Sequence, residues 1–257
     1  MVLKPVNIEI SDYPSEIRPF LINAKVYDSS CSEQAKVIFI DKDNGYFLKV
    51  SEKNTLKREA DLTNFFYEKG LSAQVLVYVS TEEDYFLTRK IQGDDCIAQK
   101  YLEQPEKLCD KLAETLLMLH NTDFTGCPVD HISRYLNSVE KNYLAGMCDK
   151  LIASGFSSRD DAYNFFVENA YKLEPNALLH GDPCLPNIIL NDWKFSGFID
   201  LGGGGIGDRH VDIFWAIWTF KFNLKTDKYR ERFIDAYGRD KIDEEKLRIV
   251  MAAEIFG

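Results

Sequence analysis

The sequence is sparing with the residues that build covalent or metal frameworks. Six cysteines and four histidines are scattered through 257 residues. No CxxC pair occurs and no histidine stands at a zinc-type spacing from a cysteine, so a structural zinc site is not expected. A disulfide framework is equally out of place in a chain this long; reduced thiols packed as small hydrophobes are the expectation. Nothing singles out one of Cys31, Cys96, Cys109, Cys127, Cys148 or Cys184 as a nucleophile. Long apolar runs are missing too, and none approaches the roughly 18 residues that a membrane-spanning helix needs. The opening MVLKPVNIEISDYP has no apolar centre and no small-residue cleavage site, so no secretory leader is expected and the cytoplasm is the expected location. Positive charge is short, with 31 Lys and Arg against 41 Asp and Glu and a net charge of −10. That balance argues against a nucleic-acid partner. It suits a cationic ligand, or simply a well-solvated surface. No membrane association and no obligate protein partner are indicated.

What is present is an ordinary globular composition, 45% hydrophobic and 28% charged, enough for one large domain or two smaller ones sharing a cleft. The first ninety residues read as strand-rich. Short β-prone runs at 35–41 and 45–50 flank Asn44-Gly45, a strong hairpin signal. Runs at 75–79 and 84–88 form a second pair. One helix, 56–69, interrupts them, with Leu62, Phe65 and Phe66 on one side and a stop at Gly70. From Pro105 onward the helical period takes over: Leu108, Leu112, Leu116 and Leu119 form one stripe, and Ile132, Tyr135, Leu136, Val139 and Tyr143 another. A third stripe is Ala162, Phe165, Phe166 and Ala170. Residues 177–201 break the series: Ala177-Leu178-Leu179 leads into a polar stretch, and two short strands, 188–190 and 195–201, are joined by the polar turn Asn191-Asp192-Trp193. Helices resume at 212–222, 228–237 and 243–255. The reading is an α+β fold with a β-rich N-terminal lobe (1–91) and a larger helical C-terminal lobe (92–257), connected near 88–95.

Polar residues crowd the ends of the short strands. His180-Gly181-Asp182-Pro183-Cys184-Leu185-Pro186-Asn187 is followed by Phe198-Ile199-Asp200-Leu201-Gly202. Phosphoryl transfer from a nucleotide needs an acceptor hydroxyl placed in line and metal ions to neutralise developing charge. A carboxylate on a tight loop, Asp182, can orient that hydroxyl and accept its proton. A carboxamide just beyond it, Asn187, and a carboxylate at the next strand end, Asp200, are suited to Mg2+. His180 is better placed to brace the loop than to act as a base. Upstream, Lys49 ends a β-run and Glu59 opens the next helix. Alone, such a pair reads as a surface ion pair; in this chain order it matches the strand lysine and helix glutamate that position nucleotide phosphates in kinases.

The segment Leu179-HGDPCLPNIIL, then Phe195-SGFIDLGGGGIGDRHVDI, resembles the aminoglycoside 3'-phosphotransferases (kanamycin kinases). Supporting similarities are Ala35-Lys36-Val37, Leu119-His120-Asn121-Thr122-Asp123 and the finish in Glu254-Ile255-Phe256. The resemblance implies a two-lobed protein-kinase-like fold using ATP (or GTP) with Mg2+ and a cationic small-molecule acceptor. It implies Asp182 as catalytic base, Asn187 and Asp200 as magnesium ligands, and Lys49 with Glu59 at the phosphates. Phe47 stands close to where relatives stack an aromatic ring on adenine, though a strand aromatic is equally a core residue. Thr88, Arg89 and Ile91 would offer backbone groups to the adenine edge, and Asp212 would brace the catalytic loop. Glu254, Phe256 and Asp160 are the substrate candidates, Asp160 being equally a helix start and Glu254 equally a solvent-facing residue of a final helix.

Several positions depart from that pattern. The phosphate loop reads Ser30-Cys31-Ser32-Glu33-Gln34, with an acidic residue where relatives carry none. The usual arginine after Ile199-Asp200-Leu201-Gly202 is replaced by Gly203-Gly204-Gly205. The acidic cluster between two central helices is replaced by 151–155, and the aspartate before Glu254 is Ala253. The expected activity is phosphorylation of an aminoglycoside 3'-hydroxyl, which inactivates the antibiotic. A kinase of another small hydroxylated molecule and a catalytically silent nucleotide-binding scaffold are the two alternatives.

Overall fold

The computed structural model describes residues 4–30, 35–148 and 155–257. They form two compact units. The first holds the described residues up to Gly93 together with Ile189–Gly202; the second holds Asp94–Ile188 and Gly203–Gly257. The first unit is strand-rich and the second helical, as expected of the α+β class, and one stretch of the later sequence belongs to the first unit.

The first unit is built on a six-stranded antiparallel sheet in the order β1-β2-β3-β4-β6-β5. Its strands are Lys4–Pro5 (β1), Lys25–Asp28 (β2), Lys36–Asp41 (β3), Tyr46–Glu52 (β4), Val75–Ser80 (β5) and Glu83–Arg89 (β6). The β3–β4 hairpin turns where Asn44-Gly45 predicts it. Asp43, Asn44 and Gly45 all take positive φ (49°, 73° and 97°), a conformation that Asn, Asp and Gly tolerate best. The period-two alternation of β4 then sorts its side chains. Tyr46, Leu48 and Val50 are buried in a core with Ile38, Ile40, Tyr85, Leu87 and, from the short helix α1 (Arg18–Leu21), Leu21. Phe47 and Lys49 point to the other face, half-buried. The hydrophobic side of this strand therefore fixes which face carries the lysine.

Helix α2 spans Lys57–Glu68 and buries Leu62 and Phe66. Its N-cap residue, Leu56, supplies no capping side chain. The cap comes instead from Asp84 on β6, whose Oδ2 accepts the Leu56 N–H at 2.9 Å. Asp84 is fully buried, and although burial opposes its charge, hydrogen bonds from Ser80 and backbone amides keep its pKa below the ordinary range. Strands β9 (Ile188–Asn191) and β10 (Lys194–Phe198) lie side by side, turning through Asp192 and Trp193 at φ 47° and 66°. The expected strand over 195–201 stops at Phe198. Asp200 takes φ 59° and Leu201–Gly203 form a 3-10 turn, so the apolar run continues while the backbone leaves the sheet.

The second unit is helical. Pro105–His120 (α4), His131–Leu144 (α5), Arg159–Asn169 (α6), His210–Leu224 (α7), Arg230–Tyr237 (α8) and Glu244–Glu254 (α9) are its principal helices; β7 (Asp94–Asp95) and α3 (Gln99–Leu102) precede them. Val139, Phe166, Val211, Ile249, Val250 and Phe256 meet in its core. Two strands, Ala177–Leu179 (β8) and Gly205–Gly207 (β11), pair antiparallel and deliver the chain on either side of the polar loop. Among the described residues no helix is long and apolar enough to cross a membrane. Cys96, Cys109, Cys127, Cys148 and Cys184 are free thiols, and burial pushes Cys109 up to about 12, away from nucleophilic reactivity.

Because α2 takes its cap from Asp84, Asp84→Ala should destabilise the first unit by roughly 2–3 kcal/mol, the worth of a lost charged cap in a buried setting. Urea unfolding measures this, and a loss below about 0.5 kcal/mol, the scatter of ordinary surface substitutions, would show the cap to be dispensable.

Candidate active site

Three charged side chains of the first unit converge. Lys49 Nζ donates to Glu59 Oε2 at 2.8 Å and Oε1 at 3.0 Å, and to Asp200 Oδ1 at 2.9 Å. Burial works against the ammonium, but the two carboxylates outweigh it and hold the Lys49 pKa above its ordinary value. Burial pushes Glu59 upward, and the charge of Asp200 adds to this against the pull of Lys49. One ammonium shared by two carboxylates leaves a cluster with net charge −1, half of which is open: the Asp200 side chain is 56% exposed. Gly202, two residues on, lies against Glu59, and its carbonyl accepts Arg58 Nε at 2.9 Å.

Beside Lys49 on the same strand face, Phe47 packs on Phe39 with ring centroids 5.2 Å apart, and Phe39 on Tyr27 at 6.1 Å. Phe47 is half-buried rather than a sealed core residue. Thr88 is its cross-strand partner on β6. The Arg89 amide is already donated to Gln74 O and the Lys90 amide to Gly45 O, both at 3.0 Å. Ile91 packs its Cδ1 where a Cβ on Gly197 would stand, at 2.7 Å, so the glycine of Ser196-Gly197-Phe198 makes room for that connector. Of the phosphate loop, Cys31, Ser32, Glu33 and Gln34 lie outside the described residues, as do 151–154 of the departed acidic segment.

In the second unit the polar loop is held by one carboxylate. Asp212, on the first turn of α7, is fully buried. Its Oδ2 accepts the His180 N–H at 2.8 Å and its Oδ1 the Gly181 N–H at 2.8 Å. His120 Nε2 lies 3.1 Å from Oδ2, and His120 Nδ1 lies 2.7 Å from the Tyr237 hydroxyl. Burial opposes ionisation of Asp212, yet His120 and the two amides prevail and its pKa falls below the ordinary range. Gly181 takes φ 87°, and a Cβ there would meet Gly203 carbonyl atoms at 2.3 Å, so only glycine fits. His180 is itself buried, and its Nδ1 accepts the Asp182 N–H at 3.3 Å, a bracing geometry.

Asp182 Oδ2 accepts Asn187 Nδ2 at 3.2 Å, and the same amide reaches the Asp182 carbonyl at 3.0 Å. Asp182 Oδ1 is buried and has no hydrogen-bond partner among the described residues. An orphaned acceptor of this kind calls for a donor from outside the chain. Burial, reinforced by the charge of Asp182, raises the neighbouring Cys184 thiol well above its ordinary pKa.

The three substrate candidates also belong to this unit. Glu254 ends α9 and is buried, not solvent-facing. Its Oε1 accepts the Tyr135 hydroxyl at 2.8 Å. Burial pushes Glu254 up to about 7, opposed by Tyr135 and Trp215 and assisted by the charge of Asp182. Phe256 is fully buried, edge-on to Tyr143 at 5.6 Å and Tyr163 at 6.0 Å, so its ring serves the core. Asp160 stands in the first turn of α6, where it favours the helix N-terminus, and accepts the Tyr143 hydroxyl at 2.9 Å. Tyr143 thus joins Asp160 to Phe256. The sequence gives no sign of Arg58, His120, Tyr237 or Tyr135 as partners here, since each meets its target across a long chain separation. Among the described residues no group of three His, Cys, Asp or Glu side chains could hold a metal by itself.

Residues 28–250 match the model of the phosphotransferase enzyme family. The probable aminoglycoside 3'-phosphotransferase of Lactococcus lactis is 46% identical, the alignment covering 99% of both chains. An aminoglycoside-3'-phosphotransferase of type VIII has the same fold, with a TM-score of 0.73 at 20% identity over 96% of each chain. The aminoglycoside phosphotransferase of Streptomyces rimosus, solved with ADP and streptomycin, aligns at a TM-score of 0.67 and 18% identity, over 86% of this chain and 90% of that one.

The raised pKa of Glu254 has a sign that can be tested. A carboxyl whose folded pKa lies above its unfolded value of 4.5 contributes stability that is complete below 4.5 and lost as pH rises through about 7. Glu254→Gln keeps the shape and stays neutral. It should match the parent at pH 5 and be more stable at pH 8, by on the order of 3 kcal/mol at most. Thermal melts at the two pH values check this, and equal differences at both would contradict a buried, titrating Glu254.

Proposed function

The chain belongs to the phosphotransferase enzyme family, and from that membership we propose an ATP-dependent kinase that moves the γ-phosphoryl group onto the 3'-hydroxyl of an aminoglycoside. Phosphorylation there inactivates the antibiotic, so the protein confers resistance. The observation that carries the reaction is the orphaned, buried Oδ1 of Asp182 on a loop fixed by Asp212. The whole-length relatedness to a 3'-phosphotransferase supports the acceptor and the position. A net charge of −10 suits a polycationic acceptor, and we place an enzyme that spends ATP in the cytoplasm.

Each residue has a part that its surroundings support. Asp182 Oδ2 is occupied by Asn187, which leaves Oδ1 to receive the proton of the acceptor hydroxyl as the oxygen attacks phosphorus. Lys49, kept protonated by Glu59 and Asp200, is the ammonium for the nucleotide phosphates. Phe47 and Thr88 offer the adenine a half-buried aromatic face. With the Arg89 and Lys90 amides already paired, the edge of the base falls to Ile91 and to neighbouring carbonyls. Asp200 and Asn187 fit Mg2+ by donor chemistry: one is an exposed carboxylate, and the other has its Nδ2 committed so that its amide oxygen remains. The ion supplies neutralisation of charge on the phosphates. We place the nucleotide in an N-terminal lobe (1–91) and the acceptor in a C-terminal lobe (92–257). There Glu254 receives an ammonium group of the acceptor, and its ionisation is drawn out by that cation. Asp160 adds an exposed carboxylate, while Phe256 backs the subsite through Tyr143.

Asp182→Ala should lower kcat with kanamycin and MgATP by about 10²–10⁴-fold and leave MgADP affinity within twofold. Steady-state kinetics and isothermal titration read the two quantities. Turnover at the parental rate would remove Asp182 from the reaction.

A further inference from the structure

Residues 202–205 are four consecutive glycines. Such a run has no side chain with which to hold itself and loses more backbone entropy on ordering than any other. Its fixation must come from elsewhere in the unit. Arg134, on α5, provides it: Nη2 donates to the Gly203 carbonyl and, at 3.3 Å, to the Gly204 carbonyl. The stretch that follows is pinned by the β8–β11 pairing and by Ile206 N–H to Val129 O at 2.9 Å. Arg134 is thus a side-chain anchor placed between the glycine turn and that short strand.

The arginine-held carbonyls sit directly on the catalytic loop. A Cβ on Gly181 would lie 2.3 Å from both C and O of Gly203 and 2.7 Å from the Gly204 nitrogen. On its other side Gly181 gives its N–H to Asp212. The residue preceding Asp182 therefore lies between a buried carboxylate and a peptide whose carbonyls Arg134 holds. Both bonds leave one nitrogen, Nη2, at the tip of a planar guanidinium whose length and fixed plane a lysine ammonium does not reproduce. Arg134 reaches the Gly203 carbonyl from 69 residues earlier in the chain.

We propose that Arg134 is a positioning residue for phosphoryl transfer, fixing the Gly203–Gly204 peptide and through it the Gly181–Asp182 backbone. The inference rests on Asp182 being the base, and displacement of a reacting group by about 1 Å costs up to 10²-fold in rate. Arg134→Ala should lower kcat with kanamycin and MgATP by about 10- to 100-fold, leave the KM for ATP within twofold, and regain activity with millimolar guanidinium but not with ammonium. Arg134→Lys should fold like the parent and still lose more than threefold in kcat. A role confined to stability would move the melting temperature without this split between kcat and KM and without guanidinium rescue. The proposal is overturned if folded Arg134→Ala keeps kcat within threefold or, should that variant not fold, if Arg134→Lys does. Asp182→Ala is assayed alongside. If it turns over normally, the reading of the base fails; if it is silent while the Arg134 variants run at the parental rate, only the role of Arg134 falls.

Discussion

Asp212 lies wholly inside the helical unit and accepts two backbone N–H groups of the loop that precedes Asp182, while His120 and Tyr237 support it from behind. An unpaired carboxylate there would be prohibitively costly to bury. It is charged only because these donors are in place, and the loop is in place only because the charge is there. The dependence runs both ways, and it explains a left-handed glycine beside Asp182. Gly181 adopts a left-handed conformation so that its amide can reach Asp212 while its α-carbon clears Gly203. The same logic holds at Lys49, where a partly buried ammonium is stable because two carboxylates face it.

Much of this arrangement was legible in the sequence where function is local. His180, Asp182 and Asn187 sit within eight residues, and the turn chemistry around them leaves few ways to present their side chains. The hairpin at Asn44-Gly45 and the alternation of β4, which puts Phe47 and Lys49 on one face, are short-range properties of the chain. What escaped is long-range. Asp84 caps a helix 28 residues away in sequence, and His120 meets Asp212 across 92. The strand expected over 195–201 illustrates a local conflict: Phe198-Ile199 continues an apolar run, but Asp200 turns left-handed and ends the ladder at Phe198. Glu254 looks like a solvent-facing residue near a helix end, and only tertiary packing shows it buried against Tyr135.

The residues proposed for the acceptor combine few charges with many rings. Tyr143 and Tyr163 stack at 3.7 Å with their planes 2° apart, and Arg159 lies 4.2 Å over Tyr143. Asp160 is tied to this stack, and Glu254 to Tyr135. Both carboxylates are thus held by tyrosine hydroxyls, which on the proposed reading would lower the entropy lost when an ammonium group docks. A buried carboxyl near neutrality gains most from a cation, since the cation restores the ionised form that burial disfavours.

The claim that this is a 3'-kinase is tested most directly by the structure of its product. Kanamycin incubated with the protein and MgATP should yield one phosphate ester, placed on the 3'-oxygen by phosphorus–proton NMR correlation. The 3'-deoxy analogue of the same antibiotic should remain unmodified while competing for the site. A phosphate on any other hydroxyl, or turnover of the deoxy analogue at a similar rate, would contradict the account.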